Sequence, residues 1–322
     1  MKKIPRACLF ALALAFPSAA SAQTYPAKSI LVIVPLAAAS GSDVAVRTLT
    51  ERLSPALKQP VVVENQPGAA GLIGTERAAK AAPDGYTLAA LNSSIMTMIP
   101  AIHEKIGYDP LKSFVPITML VSIPTVLIVH PSLPVKSVKE LIAFAKARPG
   151  QLLYSSGGVG SPQHLAMEMF KDATGVNILH VPYKGAVPAT IDVIGGHVQV
   201  MLTGLTFPLP HVRSGKLRAL AMTDPKRSAL LPEVPTVKET GVSYVFEQWL
   251  GLFAPARTPP EIVSRLNAEV VKLLASPDVR DLLLKQALEP QGGSPENVTK
   301  VLREDMPKMN KIIKQLGIKP ES

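Results

Sequence analysis

The chain has 322 residues, a formal net charge of +10 and one cysteine, Cys8, so no disulfide can form within it. Its 34 Lys and Arg residues are scattered without a run of five or six, and only 5% of residues are aromatic, which argues against a nucleic-acid partner. Such a field suits small anions better.

Lys2, Lys3 and Arg6 make a basic start, residues 8–16 are apolar, and Ala20-Ser21-Ala22 has the small-x-small form of a cleavage site. A secretory signal peptide is therefore expected over residues 1–22, cleaved after Ala22. It carries Cys8 and three of the +10 charges, leaving +7 and no thiol in a soluble, periplasmic mature chain. No later apolar stretch approaches the ~20 residues that span a bilayer.

Beyond the leader, strand and helix patterns alternate. Residues 29–35 and 61–64 read as strands around a helix over 42–57, whose apolar stripe is Val44, Val46, Leu49, Leu53 and Leu57. A helix over 74–82 and a strand over 86–91 follow. The pattern restarts after Pro124 with a strand over 126–129. A helix over 137–147 opens on a capping box, Ser137 and Glu140. Strands over 152–154, 178–181, 198–202 and 217–222 alternate with helices over 162–174 and 188–194. After Trp249 the chain is expected to turn helical, over 260–275, 278–286 and 295–316. Such alternation implies parallel sheets with right-handed crossovers. With no low-complexity linker, the halves are expected to be joined by crossings near 122–125 and 248–253.

Five small-residue loops follow strands: 34–43, 65–71, 91–94, 154–165 and 182–185. A helix start leaves about four N–H groups unpaired and carries roughly half a positive charge. Small residues admit a guest to that backbone, and an anion is the natural one. In open sheets such loops lie where ligands collect. The carboxylate of Asp43 would repel an anion unless it holds loop N–H groups or meets an ammonium. His164 and Tyr183 also fit ordinary capping and packing.

Several chemistries lack their motifs. Gly157–Pro162 supplies no Walker lysine, and Gly158-Val159-Gly160 is not completed as GxGxxG. There is no GxSxG elbow, no HExxH, and the six histidines stand apart from zinc spacing. No metal or cofactor is expected. An exported hydrolase using Ser155 or Ser156 with His164 is the weakest alternative.

The segments Tyr25-Pro26-Ala27-Lys28, Val61-Val62-Val63-Glu64-Asn65-Gln66-Pro67-Gly68, Ala82-Pro83-Asp84-Gly85-Tyr86-Thr87-Leu88, Tyr108-Asp109-Pro110, His180-Val181-Pro182-Tyr183-Lys184-Gly185 and Leu231-Pro232-Glu233-Val234-Pro235-Thr236 come in family order. Through them residues 25–319 resemble the solute receptors of tripartite tricarboxylate transporters, the Bug proteins. The resemblance implies an α/β fold of the type II periplasmic binding protein kind, two α/β lobes joined by a two-strand hinge. Residues 23–124 with 250–322 would form lobe one, and 125–249 lobe two. It implies no enzyme activity, but a monomeric receptor that passes a small organic acid to a membrane permease. The acid would be a di- or tricarboxylate, an acidic amino acid or an aromatic acid. A ligand-binding sensor for a two-component system remains the alternative.

By position, the resemblance assigns ligand contacts to Leu36, Ala38, Ser40, Ser42, Asp43, Gly68, Ala69, Asn92 and Ser93 in lobe one. In lobe two it assigns Ser155, Ser156, Gly160, Ser161, His164, Tyr183, Gly185 and Thr203. One departure stands out: the family's first loop usually has Phe and two glycines where this chain has Leu36, Ala39 and Ser40. Left-handed backbone open to glycine is costlier there.

Overall fold

The computed structural model describes residues 25–103 and 105–319. The expected signal peptide and its cleavage site lie outside them.

Strand β1 (Ile30–Val34) is followed by helix α1 (Gly41–Leu57), strand β2 (Val61–Asn65), a 3-10 turn (Ala69–Gly71), helix α2 (Leu72–Ala79) and strand β3 (Thr87–Asn92). A π-helical turn (Ser94–Met98) runs into helix α3 (Ile99–Ile102), and strand β4 (Phe114–Ser122) leads out of this half. Strand β5 (Thr125–Val129) then enters the second half, with helix α4 (Val138–Ala147), strand β6 (Leu153–Ser156), helix α5 (Pro162–Thr174), strand β7 (Leu179–Pro182), helix α6 (Ala186–Ile194), strand β8 (Val200–Gly204), helix α7 (Leu209–Arg213) and strand β9 (Arg218–Met222). The chain returns through strand β10 (Trp249–Pro255) and ends in helices α8 (Pro260–Ala275) and α9 (Pro277–Lys285), strand β11 (Glu289–Pro290) and helix α10 (Pro295–Leu316).

Two sheets result, each the centre of one lobe: β11-β4-β10-β3-β1-β2 and β7-β6-β8-β5-β9. They are mixed rather than parallel. β10 runs antiparallel to β3 and β4, and β5 antiparallel to β8 and β9. The strands that change lobes cause this, because a chain entering and leaving the same lobe must reverse. The helices expected after Trp249 are present as α8, α9 and α10, and they begin only after the returning crossing strand. Trp249–Pro255 is a strand buried at every residue, as a central strand covered on both faces must be.

The hinge is the pair of crossings beside β4 and β10. Ile123 N–H donates to Gln248 O at 2.9 Å, and Gln248 Nε2 donates to Thr125 Oγ1 at 2.8 Å. Thr125 N–H in turn donates to the carboxylate of Asp224 at 2.8 Å.

The lobes also share core. Val298 and Leu302 of α10 pack with Ile33 and Phe253 of the first lobe. Met309 and Ile313, beyond Pro307 in the same helix, pack with Leu165, Phe170 and Tyr244 of the second. Met98 and Ile102 join that second core too. The lobes are thus pinned along one side, and the cleft opens on the other.

Candidate functional site

Two serines start the site, one from each lobe. Ser40 caps α1 with φ −66° and ψ 159°, its Oγ accepting from Asp43 N–H at 3.4 Å. Ser161 caps α5 with φ −67° and ψ 157°, its Oγ accepting from His164 N–H at 3.3 Å. A hydroxyl that accepts in this way keeps its own proton to donate. A third start, α6, follows Gly185 with no side-chain cap.

These three starts meet at an inner chamber of ≈ 60 Å³. Its wall includes Gly41 and Ser42 of α1, Gln163 of α5, and Ala186 and Val187 of α6. First-turn amides have no partner within their helix, so their N–H groups are available to a guest. Asn92 lines the chamber as well. Its Oδ1 accepts from Ile95 N–H at 3.0 Å, which leaves the amide N–H groups for the interior. Thr203 and Gln248 come from the hinge side, and Leu36, Ile123 and Phe207 are apolar. None of the lining residues is ionisable.

The chamber opens into a vestibule of ≈ 760 Å³, with Leu36, Ala37, Ala70, Gly157 and Gly185 common to both. The lobes touch beside it: Ala37 of lobe one lies 3.0 Å from where a Cβ on Gly185 would stand.

The structure brings many of the expected residues to this cleft. Leu36, Ser40, Ser42, Asn92, Ser161, Gly185 and Thr203 line the inner chamber. Gly68, Ala69 and Tyr183 line the vestibule. Seven others line neither. Ala38 is exposed on the outside of its turn. Asp43 is turned inward, accepting from Ala39 N–H at 2.8 Å, Arg47 Nε at 2.9 Å and Asn65 Nδ2 at 2.9 Å. It holds the loop in place. Ser93 is buried, and among the described residues its hydroxyl has no partner. Ser155 Oγ donates to Ala189 O at 3.1 Å and so ties β6 to α6.

Ser156, Gly160 and His164 belong to a cluster behind the loop. Ser156 Oγ lies 2.6 Å from His180 Nε2. The His180 ring stacks on His164 at 4.3 Å and on Tyr154 at 4.8 Å. His164 Nδ1 accepts from Gly160 N–H at 3.2 Å, and Gly160 O accepts from Ser94 Oγ at 2.6 Å. Burial, and then the neighbouring His164, push His180 down to about 4, and burial lowers His164 also. Both rings are neutral at pH 7. Ser156 is fully buried, so this serine–histidine pair has no approach for a substrate.

On the inner wall, Ala37, Gly41, Ala70, Gly157, Pro162 and Gln163 lie in the loops the sequence pointed to without being singled out, and Ile123, Ala186, Val187, Thr190, Gly204, Phe207 and Gln248 were missed. The α5 start was read at Pro162, as found, whereas α1 begins one residue and α6 two residues before the expected starts, which hid Gly41, Ala186 and Val187. Nothing in the sequence points to Phe207.

Of the two positions where the resemblance leads one to expect glycine, Ala39 adopts left-handed backbone and Ser40, at φ −66°, does not. Ala39 has φ 61°, and Ala69 and Ala70 have φ 45° and 53°. Left-handed backbone costs a residue with a Cβ roughly 1–2 kcal/mol. Ala39→Gly is therefore expected to stabilise the protein by about 0.5–1 kcal/mol after the extra freedom of the unfolded glycine is offset. Denaturant titration of the pair measures it; an unchanged or lower midpoint would show that the loop carries no such strain.

Two α/β lobes on a two-strand hinge, with helix starts facing a shared cleft, define a solute-binding protein of the periplasmic type. Residues 45–318 match the family described as TctC, tripartite tricarboxylate transporter family receptor. The chain belongs to that family, whose members are solute-binding receptors and not enzymes. It is 37% identical to Protein BugT of Bordetella pertussis over 301 residues, 93% of this chain and 92% of BugT. The structure of R. palustris Rpa4515 with adipate matches at TM-score 0.89 and 35% identity, covering 92% of this chain and all (100%) of that one. MatC (Rpa3494) from Rhodopseudomonas palustris with bound malate matches at TM-score 0.85 and 29% identity, covering 90% of this chain and 100% of that one. The receptors of this family are extracytoplasmic, and no described helix is long and apolar enough to cross a membrane.

Proposed function

We propose that this receptor captures a small organic carboxylate between its lobes and delivers it to a permease of the tripartite tricarboxylate type. One observation carries the reading: three helix starts and two serine caps, drawn from both lobes, meet at a chamber without an ionised side chain. Amide N–H groups and helix dipoles stabilise a carboxylate there, and hydrogen bonds to a charged acceptor are the stronger kind. The guest replaces a counter-charge the protein does not supply. The adipate and malate bound by the two related receptors support the same class.

The contacts we assign to the carboxylate are the amides of Gly41, Ser42, Gln163, Ala186 and Val187, the hydroxyls of Ser40 and Ser161, and the Asn92 amide. Because α1 lies in one lobe and α5 and α6 in the other, a ligand held by all three favours the closed arrangement through contacts an open one lacks. The lobes are residues 23–124 with 250–322, and 125–249. The receptor acts as a monomer outside the cytoplasmic membrane after loss of residues 1–22; intact mass and elution volume of the exported protein check both.

A ligand that binds only the folded state stabilises it by about 2.7 kcal/mol at a hundredfold excess over Kd. An upward thermal shift with one or more organic acids is therefore expected, with the same acid released on mild unfolding and seen by mass spectrometry. A panel of mono-, di- and tricarboxylates and acidic amino acids that leaves the melt unmoved would defeat the reading. Uptake by membrane vesicles carrying the permease, with and without the loaded receptor, tests delivery.

A further inference from the structure

Resting on that reading, we infer that His164 is a positioning residue for ligand capture: it touches no ligand, and instead seats the loop 157–161 against lobe one through the backbone of Gly160. Neither the inner chamber nor the vestibule has His164 on its wall. Gly160 is held at both of its backbone groups. Its N–H donates to His164 Nδ1 at 3.2 Å, and its carbonyl accepts from Ser94 Oγ at 2.6 Å. Ser94 belongs to lobe one and follows Asn92, which lines the chamber, by two residues. On the other side, Gly157 and Ser161 of the same loop line the chamber too. The loop is a tight turn, in which Gly158 N–H donates to Ser156 Oγ at 3.1 Å and Ser161 N–H to Gly158 O at 3.1 Å. A shift of Gly160 is therefore passed on to the start of α5 and to its spacing from lobe one.

Accepting the Gly160 N–H requires a bare Nδ1, so the ring carries its one proton on Nε2. The imidazolium has a proton on both nitrogens. It would set one donor against another and leave the buried Gly160 N–H without an acceptor. The surroundings keep the ring neutral. It is buried and stacked on the neutral His180 ring of β7 at 4.3 Å. On its own helix, Glu168 favours the charged form and Lys171 opposes it. The Glu168 carboxylate is already engaged by the Tyr154 hydroxyl of β6 at 2.6 Å and by Lys171 Nζ at 2.7 Å. Burial holds His164 below the ordinary 6.5. A lowered value means that the seated, neutral arrangement is complete above about 6.5 and is lost as pH falls through the lowered value. A ligand that needs the loop seated binds the neutral form, and its affinity follows the same course.

Calorimetric titration of the wild type, His164→Leu and His164→Asn with adipate and malate at pH 7.5 and pH 4.5 tests this. Asparagine carries an acceptor oxygen at the same place along the side chain as Nδ1, and it cannot ionise. At pH 7.5, His164→Leu is expected to bind at least tenfold more weakly than the wild type, and His164→Asn to recover most of that loss. From pH 7.5 to pH 4.5 the wild type is expected to lose at least fivefold in affinity relative to His164→Asn. Both proteins meet the same acid in the same charge state, so protonation of the ligand cancels in that ratio. A ratio that stays constant, or His164→Leu binding as tightly as the wild type, would overturn the inference while leaving carboxylate capture standing. The Gly160 amide resonance of the ligand-free protein, followed by NMR, is expected to shift over the same pH range in the wild type and to stay in place in His164→Asn. The same behaviour in both proteins would overturn the inference whether or not an acid binds, whereas a panel of acids that all fail to bind would defeat the receptor reading alone.

Discussion

Gly157→Val is expected to lower carboxylate affinity at least a hundredfold while leaving the circular dichroism spectrum unchanged. Gly157 lies between two of the helix starts. A Cβ there would stand 3.1 Å from Gln163 Oε1, 3.2 Å from Ala186 N and 3.3 Å from Gly185 C. The branched side chain would occupy the space from which a carboxylate oxygen reaches the Ala186 amide. Its methyl groups offer that N–H no acceptor, so a donor and the room for its guest are lost together. Gly157 is not among the glycines with positive φ, so valine needs no forbidden backbone. A hundredfold loss corresponds to about 2.7 kcal/mol. Calorimetry with the tightest acid of the panel measures it. Affinity retained within threefold would mean the ligand does not sit against the α6 start.

Substitution at Gly160 or Ser156 is a poorer probe, although the sequence points to both. Gly160 has φ 80°, and a Cβ on it would meet Ile99 Cδ1 at 2.8 Å and Ile102 Cδ1 at 3.2 Å. Valine there would part the segment that joins the lobes, and lost binding would report damaged packing. Leucine at Ser156 would break the hydrogen bond to His180 in a fully buried cluster.

The contrast explains what was legible in the sequence. Helices announced by caps were readable: Ser137 does accept from Glu140 N–H at 3.2 Å, though Glu140 reaches back to Lys136 N–H at 2.6 Å rather than to the cap's own amide. The loops at the strand ends were readable from their small residues. The residues within them were harder. In 154–158 the strand continues through Ser156, so the two serines are spent on the sheet and the first free position is Gly157. Hydroxyls attract attention, but this site is made mostly of backbone amides, to which any side chain is attached. Strand β4 was hidden by Pro116, which argues against a central strand. The sheet accommodates it opposite Phe253, beside a register shift in β10. The π-helical turn, α3 and α7 are too short to show a period. Asp43 was weighed as ligand contact or loop brace, and only the folded arrangement of Ala39, Arg47 and Asn65 around it decides between two uses of the same carboxylate.

Asp224→Asn is expected to stabilise the protein by about 2–4 kcal/mol at pH 8 and by almost nothing at pH 4. Burial raises the Asp224 carboxyl to about 7 from its ordinary 3.8; Thr125 N–H opposes this, and Glu247 and Glu289 add to it. Lys226 offsets part of that repulsion from 3.4 Å beside Glu289. A raised folded-state value means the unfolded carboxyl gives up its proton first as pH rises. The neutral carboxyl's contribution is therefore complete below about 3.8, declines above it, and is gone once pH passes about 7. A tenfold difference in proton affinity between the folded and unfolded chain corresponds to about 1.4 kcal/mol, so the span from 3.8 to 7 sets an upper bound near 4 kcal/mol. Asparagine keeps an oxygen for the Thr125 N–H and never ionises. Denaturant titrations of both proteins at pH 4 and pH 8 separate this from a simple packing gain, which would be equal at the two values. Because Thr125 begins the strand that leaves the hinge and Gln248 ties it to the chamber wall, relief of this charge acts on the joint between the lobes. An advantage for the asparagine variant that is the same at both pH values would show that Asp224 is not held neutral there.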